Sequence, residues 1–217
     1  MTEPSYLRAT RAAYDTVAVD YAELLGTELA AKPLDRALLA AFAELVQAAG
    51  DGLVADLGCG PGRVTAHLHS LGLNTFGVDL SPAMVAEASR RYPHLRFDEA
   101  SMTDLGLTDG TLGGIVAWYS IIHTPPELLP ELFAELHRVL APGGHLLAAF
   151  QAGDERVHLE QAYGHLISLD AYRLSPDHIT NLLSQAGLPV HASVLREPHE
   201  PEKTRQAYLL ARKTNTS

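Results

Sequence analysis

Residues 53–63 read LVADLGCGPGR. Leu53, Val54 and Ala55 form a short apolar run of the kind that fills a buried parallel strand. Asp56 interrupts it, and Gly58, Gly60 and Gly62 follow at alternate positions. Val64, Ala66, His67 and Leu68 then begin a helical pattern, so the order is strand, glycine-rich turn, helix. Glycines permit a left-handed backbone and keep Cβ atoms away from a ligand. The helix start offers unpaired backbone N–H groups, and Asp56 adds a fixed acceptor at the strand end. Three glycines exceed what a bare βα turn needs.

Two cofactor classes use such a turn. The dinucleotide fingerprint G-x-G-x-x-G fails, because its third glycine would fall at Arg63. What stands here is D-x-G-x-G-x-G, from Asp56 to Gly62. It resembles motif I of the class I S-adenosylmethionine-dependent methyltransferases, where the turn packs against the methionine part of the cofactor. The resemblance implies cofactor contacts at Asp56, Gly58, Cys59 and Gly60.

Composition bounds the rest. A chain of 217 residues, 47% hydrophobic and 19% charged, is ordinary for one globular unit with a sizeable core. Sixteen Lys and Arg against 26 Asp and Glu give a net charge of -10, which argues against a phosphate backbone as partner. The single cysteine, Cys59, cannot form an internal disulfide, so a reducing, cytoplasmic setting is expected. Residues 1–5 are polar with no apolar core behind them, and no run is long enough to span a bilayer. Oligomeric state stays open between monomer and homodimer.

Upstream, Tyr14, Val17, Ala18, Tyr21 and Leu25 recur at helical spacing, as one amphipathic helix or two short ones. Pro33 opens a second helix that ends before Gly50 and Gly52. The pattern YD-x-x-A-x-x-Y resembles the N-terminal cap of small-molecule methyltransferases. There the tyrosines reach the cofactor or substrate; equally, Tyr14 and Tyr21 could be simple core anchors.

Downstream, residues 74–80 read as a second strand, with Asp79 at its end, 19 residues after Gly60. Open parallel sheets bind ligands beyond the carboxyl ends of their strands. The resemblance makes Asp79 the ribose acceptor, with Leu80 and Met84 beside the adenine or in the core. Ser81-Pro82 supplies the next helix's cap and first turn. After a short third strand, Ser101 stands where the family carries an acidic residue, with Met102 behind it. That departure leaves Asp104 as the alternative reader of the adenine edge. Residues 112–119 are a central fourth strand bringing Trp118 and Tyr119 to the cofactor face, and 120–124 resemble the motif IV loop. Ala141–Gly144, APGG, is the turn before strand five at 145–150, a second family mark. Residues 153–175 show no clean period, and the resemblance makes them the substrate wall. Tyr163, Leu166, Ile167 and Tyr172 are its possible lining. Residues 191–195 and 206–212 form a terminal antiparallel pair, which class I methyltransferases have and dinucleotide dehydrogenases lack.

The expected fold is α/β: a doubly wound, Rossmann-like, seven-stranded sheet, mostly parallel, with an antiparallel C-terminal hairpin and helices on both faces. One methyltransferase unit spans 1–217: a helical cap at 1–49, a cofactor core at 53–150, the wall at 151–175, then a helix and hairpin at 176–217. The expected activity is S-adenosylmethionine-dependent methylation of a small molecule at O, N or C. Methyl transfer needs mainly orientation and desolvation, so the lack of a hydrolytic triad is consistent with it. No metal pattern appears; His67 and His69, two apart on a helix, face different ways. His123 on the motif IV loop is the candidate base, or else a brace for the following helix; Tyr119 and His165 rank behind it. A nucleotide-dependent oxidoreductase and a non-catalytic ligand-binding protein on the same fold remain alternatives. Bound nicotinamide would identify the first, and bound cofactor without turnover the second.

Overall fold

A computed structural model of the chain describes residues 3–200 and 202–214. The extreme ends of the expected cap and terminal hairpin, residues 1–2 and 215–217, lie outside the described residues. Strands β1 (Leu53–Leu57), β2 (Thr75–Asp79), β3 (Arg96–Glu99), β4 (Leu112–Trp118), β5 (Leu140–Gln151), β8 (Val190–Arg196) and β9 (Gln206–Arg212) form one sheet. Its order is β3-β2-β1-β4-β5-β9-β8. Pairing is parallel from β3 to β5, while β9 runs antiparallel to both β5 and β8. Strand order reverses between β1 and β4, where α/β sheets open a crevice for ligands.

Both faces are covered, and the period-2 alternation of each central strand shows why. Ala55, Ile115, Ala117, Leu146 and Phe150 point to one face, under α5 (Leu129–Val139) and α6 (Pro176–Gln185), where Phe133, Leu136, Ile179 and Leu183 are fully buried or nearly so. Val54, Val116, Leu147 and Ala149 point to the other, under α2 (Pro33–Ala48) and α3 (Arg63–Ser70). Such strands read as continuous apolar runs because neither side meets water.

The N-terminal pattern forms one helix, α1 (Ser5–Leu25). It crosses the top of the sheet against α4 (Pro82–Arg91), with Val17 and Ala18 on Met84. Asp15 fixes that crossing, accepting from Ser81 Oγ at 2.5 Å and from the Ala83 N–H at 3.2 Å. Ser81 in turn caps α4 by accepting from the Met84 N–H.

Two local expectations change. The APGG stretch is a bulge within β5 rather than a turn before it: Leu112 pairs with Leu140 and Gly114 with His145, so the residues between loop out. The wall segment is an ordered hairpin, β6 (Arg156–Ala162) and β7 (His165–Tyr172), outside the main sheet. Its two-residue loop, Tyr163-Gly164, has φ of 52° and 83°, as a type I′ turn requires. A two-stranded hairpin is marginal alone; Ile167 packs it onto α1. Among the described residues, no helix is long and apolar enough to cross a membrane.

Candidate active site

The turn after β1 is held from both sides. Gly58 (φ +70°) lies against Ser120: a Cβ there would sit 2.3 Å from the Ser120 Cβ, so only glycine lets β1 and β4 close at their ends. Gly60 (φ +53°) has the opposite surroundings. The nearest atom to a Cβ there is Tyr21 Cε1 at 3.8 Å, so its empty side faces open space. The Gly60 N–H donates to Asp79 Oδ2 at 2.8 Å, and the Ser81 N–H donates to Asp79 Oδ1 at 2.9 Å. Asp79 therefore ties the first glycine turn to the second strand end. Burial pushes its carboxyl up, and those backbone N–H groups oppose the rise.

These groups border a narrow cavity with about 740 Å³ of empty space, its open mouth included. Tyr14, Tyr21, Gly58, Gly60, Asp79, Leu80, Ser101, Met102, Trp118, Tyr119 and His123 all line it. Ser101 Oγ and Thr103 Oγ1 are hydrogen-bonded at 2.8 Å on this wall, whereas Asp104 is exposed and does not line it. Ser120 Oγ is buried with no partner among the described residues.

Asp56 and Cys59, implied as contacts, and Met84, open between adenine and core, do not line this cavity. Asp56 is 1% exposed and does not line the cavity; its Oδ2 accepts from Thr65 Oγ1 at 2.6 Å, while Oδ1 has no partner among the described residues. Burial pushes its carboxyl up to about 7, against the pull of Thr65 and Arg63. Cys59 is buried under the turn and tight against Gly77, and burial raises its thiol pKa further. Met84 is 1% exposed and packs under α1. Asp56 turns inward by alternation along β1, Cys59 in the turn beyond it lies against Gly77 of β2, and Met84 sits on the inner face of α4.

His123 is fully engaged. Its Nδ1 faces the Asp170 carbonyl oxygen of β7 at 2.9 Å, and its Nε2 meets the Tyr14 hydroxyl at 2.7 Å. A carbonyl only accepts, so Nδ1 carries the proton and Nε2 accepts from Tyr14. Burial holds the imidazole below its ordinary pKa, which favours this neutral form. The ring thus links α1, the loop after β4 and the hairpin, and neither nitrogen is free to face an acceptor. Tyr119, a bulky residue at φ +57°, meets Tyr208 through their hydroxyls at 3.3 Å, and Tyr208 donates to Asp35 at 2.9 Å. A left-handed aromatic residue is strained and persists only where its surroundings fix it.

A wider second cavity, with about 1370 Å³ of empty space, shares the wall made by Tyr14, Tyr21, Tyr119 and His123. Of the expected wall residues, Tyr163 lines it. Leu166 is 79% exposed, Ile167 packs on α1, and Tyr172 packs on the main core. His165 is exposed and faces Asp20 at 2.6 Å. Sequence reading missed Arg63, Arg173 and Gln206 in this cavity, and Tyr6 and Thr10 in the first, while Ser120 of the expected motif IV loop also lines the first. Tyr6, Thr10 and Tyr14 are spaced by four, a stripe on α1 that the sequence does carry. No comparable spacing announces Arg63 or Arg173. Among the described residues, no group of three His, Cys, Asp or Glu could hold a metal ion.

Residues 54–144 match a methyltransferase domain family. A demethylmenaquinone methyltransferase of Beutenbergia cavernae is 32% identical over 111 residues, covering 51% of this chain and 45% of that protein. A trans-aconitate 2-methyltransferase of Escherichia coli is 41% identical over 95 residues, covering 43% and 36%. The chain spans about half the length of the curated relatives it matches. Among solved structures, a Burkholderia thailandensis 1,6-didemethyltoxoflavin-N1-methyltransferase, with its namesake compound and S-adenosylhomocysteine bound, aligns with a TM-score of 0.73. The identity is 21%, covering 99% of this chain and 92% of that one; at that identity the likeness concerns the fold. The glycine turn, Asp79 and strands β2 to β4 all lie within the stretch, residues 54–144, that is similar to a methyltransferase domain.

Proposed function

We propose that this chain transfers a methyl group from S-adenosylmethionine to a small-molecule acceptor, the narrow cavity taking the cofactor and the wide one the acceptor. The carrying observation is the open cradle at Gly60 beside Asp79, set against a wall that the two cavities share. The donor set suits this cofactor. Each Asp79 oxygen accepts one backbone N–H and keeps lone-pair capacity for a ribose hydroxyl. Leu80 and Met102 offer apolar surface to an adenine, and Ser101 offers its edge a hydroxyl. Ser120 Oγ is a buried group still in need of a partner.

When bound, the cofactor supplies a methyl on a positively charged sulfur that departs as a neutral thioether. The chain's own work is positioning and exclusion of water. Tyr119, held by its backbone and by Tyr208, forms a rigid floor between the cavities. Tyr14 closes the cofactor side, held by His123. His123 acts in this reading as a brace, since both ring nitrogens are engaged. The relatives' names, demethylmenaquinone, malonyl-[acyl-carrier protein] and trans-aconitate methyltransferases, support a small or carrier-borne acceptor. The net charge of -10 disfavours nucleic acid.

Calorimetry with S-adenosylhomocysteine tests the cofactor half: binding with a rise in melting temperature is expected, and no heat with no change in melting temperature at millimolar ligand overturns it. Methyl transfer to RNA in preference to small molecules would overturn the acceptor half.

A further inference from the structure

Resting on that reading, we infer that the wide cavity takes an acidic acceptor. Its carboxylate is anchored by Arg173, and its reacting oxygen or nitrogen is directed to the wall shared with the cofactor cavity.

The first observation is charge. The chain carries -10 overall, yet four cationic side chains, Lys32, Arg63, Arg173 and Lys203, line this cavity against two carboxylates, Glu28 and Glu202. Those carboxylates are already engaged. Glu28 meets Lys32 at 2.7 Å and Arg63 at 2.8 Å; Glu202 meets Lys32 at 3.2 Å and Arg196 at 2.7 Å. Two carboxylates thus serve three cations before Arg173 is counted. An anion entering the cavity meets surplus positive charge between low-dielectric walls, where such a field is focused.

The second observation is Arg173 itself. It follows β7 and leads towards α6, at the rim of the hairpin. Its only carboxylate among the described residues is Glu155, at 3.5 Å and with a side chain 57% exposed, a weak, solvated pairing. Its Nε is buried without a partner among the described residues. A guanidinium presents a planar fork that matches a carboxylate through two parallel bonds. The backbone also makes room for it: a Cβ on Gly153 would lie 2.7 Å from the Arg173 Cβ and 3.2 Å from its Cδ.

The third observation is polarity of the remaining wall. Leu25, Ile122, Val157 and Leu159 give the cavity an apolar side. Arg173 belongs to the wide cavity alone, whereas Tyr14, Tyr21, Tyr119 and His123 belong to both. An acid with an apolar body would therefore lie with its carboxylate on Arg173 and its far end at the shared aromatic wall.

The test uses full-length protein loaded with S-adenosylhomocysteine and three matched pairs: salicylate and salicylamide, 4-hydroxybenzoate and 4-hydroxybenzamide, succinate and succinamide. Calorimetry and thermal melts are expected to show at least one acid binding tenfold or more tightly than its amide. Arg173→Gln should weaken that acid at least tenfold, Arg173→Lys should restore part of the loss, and both variants should keep wild-type affinity for S-adenosylhomocysteine, which reports their folding. Acids binding no better than their amides, or Arg173→Gln binding the acid like wild type, would overturn the proposal while leaving the methyltransferase reading in place. Failure of wild type to bind S-adenosylhomocysteine would overturn both, and is distinguished by that first measurement.

Discussion

The two cavities are built by different means. The narrow one is anchored on backbone, a glycine turn and two strand ends with one carboxylate bound to two backbone N–H groups, and is closed by side chains of α1 and the loop after β4. The wide one is made by side chains from distant parts of the chain, with α1, the hairpin and the β8–β9 connection converging on it. A backbone site tolerates almost no change of residue at its glycines, because an added Cβ either collides or fills the ligand's place. A side-chain site is adjustable, since each contact can be exchanged without moving the strands behind it.

The largest expected effect breaks the backbone site. Gly60→Val introduces a branched side chain where φ is +53° and where the free volume faces the cavity. The left-handed conformation costs about 1–2 kcal/mol in stability, and the side chain fills the cofactor's space. Titration with S-adenosylhomocysteine should show an affinity lower by ~100-fold or more, about 3 kcal/mol, with the folded sheet retained by circular dichroism.

Next comes the buried acid beneath the turn. Asp56 has its carboxyl raised from 3.8 to about 7 by burial. The folded state therefore holds its proton more tightly than the unfolded one, so stability falls as pH rises between those values and levels off above. Across that window the loss is about 1.4 kcal/mol for each pH unit. Asp56→Asn keeps an oxygen for the Thr65 hydroxyl and should flatten the slope. Denaturant melts at pH 5 and pH 8 measure it; an equal slope in both proteins would show that Asp56 stays ionised when folded.

How far the sequence reaches follows from the same contrast. The glycine spacing, Asp79 at a strand end, the Ser81-Pro82 cap and the antiparallel last strands are all readable, because each is a local pattern with a local cause. Asp56 and Cys59, implied by the resemblance as cofactor contacts, do not line the cavity, and Met84, open between adenine and core, packs in the core, since a motif fixes position along the chain but not which way a side chain turns. The hairpin escapes notice although its signals are present: Val157 and Leu159, then Ile167 and Leu169, alternate around Tyr163-Gly164. Tyrosine at the first turn position hides a type I′ loop that Asn-Gly would have announced. Arg173 has no local signature at all, because its role depends on a cavity closed by α1 far away in sequence.

Asp79→Ala comes third. It removes the acceptor that joins the Gly60 and Ser81 N–H groups, so the turn loses its anchor as well as the proposed ribose contact. A charged hydrogen-bond acceptor is worth roughly 1.5–3 kcal/mol, which predicts an affinity loss for S-adenosylhomocysteine between Gly60→Val and wild type. An unchanged Kd would assign the ribose to another residue.

The smallest expected effect probes the side-chain site. Tyr14→Phe removes one hydroxyl and leaves the ring in place against Tyr21 and His123. The lost bond to His123 Nε2 is worth about 0.5–1.5 kcal/mol, a fall in melting temperature of roughly 2–4 °C per kcal/mol for a chain of this size. His123→Ala removes the same link together with the bond to Asp170, so the two changes should be less than additive in the double variant. The imidazole's pKa lies below its ordinary value, so the unfolded chain binds its proton first. The stabilisation is then present above the ordinary histidine pKa and is lost as pH falls below it. If His123 is a brace, both variants should keep cofactor affinity within about threefold, and the acid-side loss of stability should shrink in His123→Ala. A maximal rate that collapses in His123→Ala but not in Tyr14→Phe would instead return His123 to the role of base, reached once the Tyr14 hydroxyl has moved aside for the acceptor.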